Sequence, residues 1–309
     1  MKLFLFLGSR RGYAVLKKLI EADATISGIL CLVEDAHEEQ FHPQVKAIAL
    51  EKNIPIFFSD TVSPSDYAAI IRKVEPDIAF AIGWRYLINA EAYGIPPKGT
   101  LIIHDSLLPR YRGFAPMNWA IINGETKTGV TLFHISEGVD SGPIVDQLAT
   151  DITLQDTAKT VDEKIIKLYE EIIIKNLPAL TEGSSNSTPQ NESDATYTCK
   201  RTPEDGEINW HDSAEKIYNL IRGLTHPFPG AYTTLRGKKI FIWEAELPEK
   251  QDKYSGSIAG RIVGKKNGKI EVLTGDGLLR LVRLQYVQEE EKSGSDIAIS
   301  VKDTFGKIL

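Results

Sequence analysis

The chain has 309 residues, 42% of them hydrophobic, with 36 Lys and Arg against 42 Asp and Glu and a formal net charge of −6. That length favours two domains, and that apolar fraction excludes disorder. The acidic balance argues against a broad electrostatic grip on nucleic acid.

The N-terminal MKLFLFLGSRRG has an apolar run too short for a signal peptide, and Arg10 and Arg11 follow it in place of a small-residue cleavage site. It reads as a buried first strand over Lys2–Leu7, covered on both faces. Tyr13, Leu16 and Ile20 give residues 12–22 helical spacing, and 26–33 reads as a second strand. Residues 43–52 form a helix opened by proline, 54–58 a short strand, 64–74 a helix and 78–82 a strand. A further strand, Thr100–His104, ends on a histidine, and a helix over 156–180 closes this half. Alternating strands and helices predict a parallel sheet with right-handed crossovers. Ligands then bind beyond the carboxyl ends of the strands, where His104 and the Gly83–Ile88 loop both lie.

Composition shifts at Glu182–Thr198, which is rich in Ser, Asn and Thr and reads as a linker. Beyond it a helix over 214–223 precedes strands at 231–235, 239–243, 256–263, 270–273 and 278–284, the pattern of a small β-barrel-like domain. Cys31 and Cys199, with no CxxC or Cys/His cluster, leave no recognisable zinc motif and no disulfide framework, which suits a cytoplasmic protein. No apolar run approaches the roughly 20 residues of a membrane span.

The stretch from His104 to Pro143 carries the chemistry. A histidine stands at a strand end, a Pro-Arg-Gly loop follows, and an Asp-x-Gly turn comes at Asp140–Gly142. An imidazole and a carboxylate so placed suit general acid–base work. A lone His and a lone Asp are more often a capped strand end and a tight turn; the intervening SLLP-x-x-RG favours the catalytic reading. Gly8-Ser9-Arg10 opens a helix as a phosphate loop would, although it is not GxGxxG. The arginines of Pro109–Gly113 offer to bind a phosphate or a carboxylate, or are solvated charge.

These residues resemble the folate-dependent formyltransferase family, whose motif reads N-x-H-x-S-L-L-P … D-x-G. Supporting matches are Phe6–Ser9, Asn123–Glu125, Lys200–Asp205 before Ile208-Asn209-Trp210, and His226–Ala231 with Trp243. The likeness is strongest to the sugar-nucleotide N-formyltransferases, which include the formyltransferase half of the bifunctional polymyxin-resistance enzyme. The resemblance implies an α/β fold with a split Rossmann-like, mostly parallel sheet and a C-terminal OB-like domain. The implied divisions are a catalytic domain over 1–185, a linker over 186–205 and a β-rich domain over 206–309. It also implies N10-formyltetrahydrofolate as co-substrate, no metal, and a cytoplasmic enzyme acting on a UDP- or dTDP-linked amino sugar; a homodimer is compatible with it.

Carried over residue by residue, the catalytic positions are His104, Asp140 and Ile102, the last standing where the family has its Asn. The folate-contacting loop falls on Trp84, Arg85, Tyr86, Leu87 and Ile88, with Asp140 beside it. Substrate contacts fall on Gly8, Ser9, Arg10, Ser106, Leu107, Leu108, Pro109, Arg112 and Gly113. In the family the Asn donates a hydrogen bond to the formyl oxygen, and Ile102 cannot. Three readings follow: an inactivated enzyme, a substitute donor such as Asn118 or a backbone N–H, or a folate or nucleotide binder. The runner-up activity is methionyl-tRNA formyltransferase. That branch tends to carry a basic loop after the second strand, where this chain has the acidic Val33–Gln40.

Overall fold

The computed structural model describes every residue except His37, Gln251, Ala298 and 307–309, so one member of the acidic 33–40 segment, His37, lies outside the described residues. The first half runs β1 (Lys2–Leu7), α1 (Ser9–Glu21), β2 (Thr25–Cys31), α2 (His42–Glu51), β3 (Ile56–Phe58), α3 (Tyr67–Val74), β4 (Ile78–Ile82), α4 (Ala90–Tyr93) and β5 (Thr100–His104). It continues through β6 (Arg112–Gly113), α5 (Pro116–Ile122), β7 (Lys127–His134), β8 (Ile144–Asp151), α6 (Ala158–Glu182) and β9 (Tyr197–Thr198). The remainder is α7 (Ala214–Leu224), β10 (Ala231–Leu235), β11 (Lys238–Glu246), β12 (Ile262–Lys266), β13 (Lys269–Leu273), β14 (Leu278–Tyr286) and β15 (Lys292–Ser293).

The chain forms two compact units: 1–113, 128–150 and 163–198 make the first, and 114–127, 151–162 and 199–309 the second. The first holds a seven-stranded sheet in the order β3-β2-β1-β4-β5-β7-β8. β1 to β5 pair in parallel, and β7 joins β5 antiparallel. After the exposed Lys2, β1 is apolar because it lies centrally: Leu3 to Leu7 are all buried. On one face Phe4, Phe6, Leu30 and Ala81 pack against Tyr67, Ala68 and Ile71 of α3, with Ala92 of α4. The mostly parallel sheet expected from the sequence is therefore present.

The second unit is an antiparallel sheet in the order β10-β11-β14-β13-β12, with β15 on β14. α7 begins at a side-chain cap, Ser213 Oγ accepting from the Lys216 N–H at 3.1 Å. α5 belongs here because its Asn118 amide donates to the Gly223 carbonyl of α7 at 2.8 Å. Residues 151–162 belong here because Arg222 donates to the Thr153 and Asp156 carbonyls, each at 2.9 Å.

The differences from expectation have local causes. The strand expected over 256–263 starts only at Ile262, because Gly260 turns the chain at φ +78 with its ideal Cβ 2.4 Å from the Phe305 carbonyl. The expected linker is structured up to Thr198: β9 pairs with β6, and Thr188 bridges Ile144.

Cys31 lies buried in β2, where burial pushes its thiol up to about 12, whereas Cys199 is exposed. A thiol reagent at neutral pH is expected to modify Cys199 alone in the native protein and both cysteines after denaturation. Equal native rates at the two sites would contradict the burial of β2.

Candidate active site

Three strand ends line up through the parallel register. Leu7 pairs with Ile82 and Ile82 with Ile103, so Gly8, Gly83 and His104 follow on neighbouring strands. Gly8 and Gly83 meet back to back: an ideal Cβ on either would sit 2.3 Å from the other's carbonyl oxygen, and Gly83 has φ +61. The Gly8 N–H donates to the Ile82 carbonyl at 2.9 Å. Gly8 thus serves this close strand-to-helix turn, while Ser9 and Arg10 stand at the start of α1.

His104 is buried at 8% exposure. Its Nε2 lies 2.8 Å from the Tyr111 carbonyl, an acceptor only, which assigns the proton of the neutral ring to Nε2. Nδ1 is then the basic nitrogen, and it faces Asp140 Oδ2 at 3.6 Å. The same carboxylate oxygen accepts from the Gly113 N–H at 2.8 Å. Asp140 sits at φ 48, in the left-handed region, and Gly142 has no room for a side chain, its ideal Cβ falling 1.7 Å from the His134 carbonyl. The structure therefore brings His104 and Asp140 together.

Behind His104 the strand end is tied down by Asp105. Tyr169 OH, which has one proton to give, lies 2.5 Å from Asp105 and 2.8 Å from the Ile103 carbonyl, and Arg11 pairs with the same carboxylate at 2.7 Å. Burial is the main cause holding the Tyr169 phenol well above its ordinary range, so it remains a donor here.

The loop beginning at Gly83 starts beside His104. Trp84 packs among Phe6, Tyr67 and Tyr86, with ring centroids 5.4, 6.0 and 5.7 Å away. Its Nε1 is buried without a hydrogen-bond partner among the described residues. Tyr86 and Leu87 are exposed and Ile88 is buried. Arg85 is turned to the acidic segment, pairing with Glu38 at 2.9 Å and reaching Asp35 at 3.8 Å. In that segment Glu34 is buried and accepts from His42 at 2.8 Å.

Several residues expected to contact substrate are buried or already engaged within the protein. Ser106 is 2% exposed and its hydroxyl donates to the Arg110 carbonyl at 2.7 Å. Leu108 is buried, and its N–H donates to Thr131 Oγ1. Arg112 is fully buried: its five N–H donors go to Gln190 Oε1 from Nε and NH2, to both Glu192 carboxylate oxygens, and to Tyr197 OH, at 2.7–3.1 Å. No donor remains for a phosphate. Asn118, offered as a substitute for the missing Asn, is a buried packing residue of the second unit. Leu107, Pro109 and Gly113 stay half-buried on the loop. Gln190 and Glu192 were absent from the sequence reading because a polar segment far along the chain gives no sign of its partner.

Ile102 is half-buried and packs against the core cluster that Trp84 also covers. Two residues before His104 on one strand, it shares that residue's face. Among the described residues no group of three or more His, Cys, Asp or Glu could hold a metal ion, and no helix is long and apolar enough to cross a membrane.

Comparison with known proteins agrees with this architecture. HypX from Aquifex aeolicus, solved with tetrahydrofolic acid, is 19% identical with a TM-score of 0.65 over 94% of this chain, which spans only 46% of HypX, about half its length. The N-formyltransferase of Helicobacter canadensis, solved with folinic acid and dTDP-3-aminofucose, is 18% identical with a TM-score of 0.71, covering 93% of this chain and 99% of that one. Methionyl-tRNA formyltransferase from Clostridium thermocellum is 19% identical with a TM-score of 0.57, covering 89% of this chain and all of that one. At such identities the likeness is one of fold. The family model for formyl transferase matches residues 22–177, which hold His104 and Asp140, and the model for the formyl transferase C-terminal domain matches 200–301. With both models matched in order over most of its length, the chain belongs to the formyl transferase family.

Proposed function

We propose that this chain is a cytoplasmic enzyme that transfers a formyl group from N10-formyltetrahydrofolate to the amine of a UDP- or dTDP-linked amino sugar. The observation that carries the reading is His104 Nδ1, free of its proton in the neutral ring and 3.6 Å from Asp140. An attacking amine must lose a proton, and Nδ1 is the group placed to take it. Asp140 then faces the imidazolium and balances its charge.

Folate, when bound, supplies the formyl group. The 84–88 loop suits its flat ring: Trp84 Nε1 is a buried donor without a partner among the described residues, and Tyr86 and Leu87 present exposed apolar surface. Arg10 and the first turn of α1 are the candidates for the diphosphate; Ser106, Leu108 and Arg112 are not. The family's domain division, with catalysis in the first half and a β-rich second half, fits the two matched models.

The sugar reading is supported over the tRNA reading by the acidic segment: Glu34 is buried against His42, but Asp35, Glu38 and Glu39 still outnumber the one cation paired there, Arg85, and disfavour RNA phosphates. The fold likeness to a protein solved with dTDP-3-aminofucose agrees with it. An acceptor panel tests the choice: UDP- and dTDP-linked amino sugars, among them UDP-4-amino-arabinose as in the polymyxin-resistance enzyme, against initiator methionyl-tRNA. Formylation of an amino-sugar nucleotide is expected, with no tRNA binding in the micromolar range at physiological salt. Tight tRNA binding with formylation of its methionine would establish the other branch.

A further inference from the structure

The Asp140 turn is held by three hydrogen bonds, and two of them come from a side chain that no sequence motif marks. Gln190 Nε2 donates to the Asp140 carbonyl and to the Gly142 carbonyl, each at 2.8 Å. It therefore spans the ends of the Asp-x-Gly turn. Gln190 Oε1 accepts from Arg112 Nε at 3.1 Å and from NH2 at 2.8 Å. The next residue, Gly113, supplies the N–H that the Asp140 carboxylate accepts at 2.8 Å. The residue before Arg112 is Tyr111, whose carbonyl accepts from His104 Nε2 at 2.8 Å. One buried guanidinium thus anchors both the backbone that sets the histidine's proton and the glutamine that sets the aspartate's turn. The anchor is itself fixed, because Arg112 also takes Glu192 and Tyr197, and β6 pairs with β9.

We propose that Gln190 is a positioning residue for Asp140, acting through the amide it donates to the Asp140 and Gly142 carbonyls. The proposal rests on the reading of His104 and Asp140 as the acid–base pair. It explains why a segment with a linker's composition folds onto the first unit. Asp140 carries a left-handed backbone, which persists only where its surroundings hold it. Without the two hydrogen bonds from Gln190, the turn is free to relax away from Nδ1.

Gln190→Glu isolates the donor. The new carboxylate still accepts from Arg112, so the buried guanidinium keeps its partner and the fold survives. It cannot donate, and an oxygen now faces two carbonyl oxygens. We expect kcat to fall by about 10- to 100-fold, since small misplacements at an active site have that effect. KM for the acceptor is expected to change by less than about threefold, because the loss is not one of ground-state binding. Acting through Asp140, the change must also be non-additive with it: in an Asp140→Asn background, Gln190→Glu should lower kcat by less than about twofold further. A purely structural role would lower kcat by the same factor in both backgrounds. Hydrogen exchange over residues 136–143, measured without substrate, should quicken by at least about tenfold in Gln190→Glu, because exchange follows local opening. Unchanged kcat, additive effects, or unchanged exchange would each overturn the proposal. Absence of formyl transfer by the parent chain to any acceptor would instead overturn the reading of the pair, and exchange would still decide whether Gln190 holds the turn.

Discussion

Ile102→Asn is expected to raise the turnover of formyl transfer by at least about tenfold, the low end of what one oxyanion donor contributes. Ile102 lies two residues before His104 on β5, on the same face. On the proposed reading, an amide there adds a donor where negative charge develops on the formyl oxygen, while His104 and Asp140 handle the proton. These are separate contributions, so the gain should appear in kcat and much less in KM. The same change removes a half-buried branched side chain that packs against the core cluster. We expect a loss of about 1–2 kcal/mol of stability, the exchange of an apolar contact for a partly buried amide. Activity up and stability down, from steady-state kinetics and denaturant unfolding of the two proteins, is the combined result. Equal turnover would mean that another group supplies the donor.

Gly142→Ala is expected to act in the opposite direction. The added Cβ would lie 1.7 Å from the His134 carbonyl, a backbone atom that cannot swing away. The turn must move, and with it Asp140, whose carbonyl and that of Gly142 share the Gln190 amide. A displacement of about 1 Å at an active site lowers rates by about a hundredfold. Turnover should fall by that order, with KM for folate and acceptor changing far less. A Gly142→Ala protein with parental turnover would show that Asp140 need not sit where the structure puts it.

The central strands of the first unit were legible because they are buried on both faces, whereas the edge strand β8, half-buried or exposed for most of its length, was not read. Lys2–Leu7 reads as a nearly continuous apolar run and Ile78–Ile82 as a strand, and both are strands of the parallel sheet. His104 and Asp140 were legible because the residues between them carry a specific motif. What was illegible depends on distant partners. Arg112 read as a loop cation open to a phosphate, a carboxylate or solvent; its burial follows from Gln190, Glu192 and Tyr197, roughly 80 residues on, which no local pattern reveals. The 186–198 segment looked like a linker because its polar side chains bind backbone and one another, leaving no apolar periodicity. α5 and 151–162 join the second unit through hydrogen bonds to α7, which a boundary drawn on composition cannot register.

The most direct test of the central claim is the mass of the acceptor after incubation with N10-formyltetrahydrofolate, for the parent chain and for His104→Ala. The account predicts an amino-sugar nucleotide heavier by one formyl group, with tetrahydrofolate released, from the parent, and no product from His104→Ala, which lacks the only base assigned to the amine proton. Formylation undiminished in His104→Ala, or no formylated acceptor from the parent or from Ile102→Asn, would contradict it.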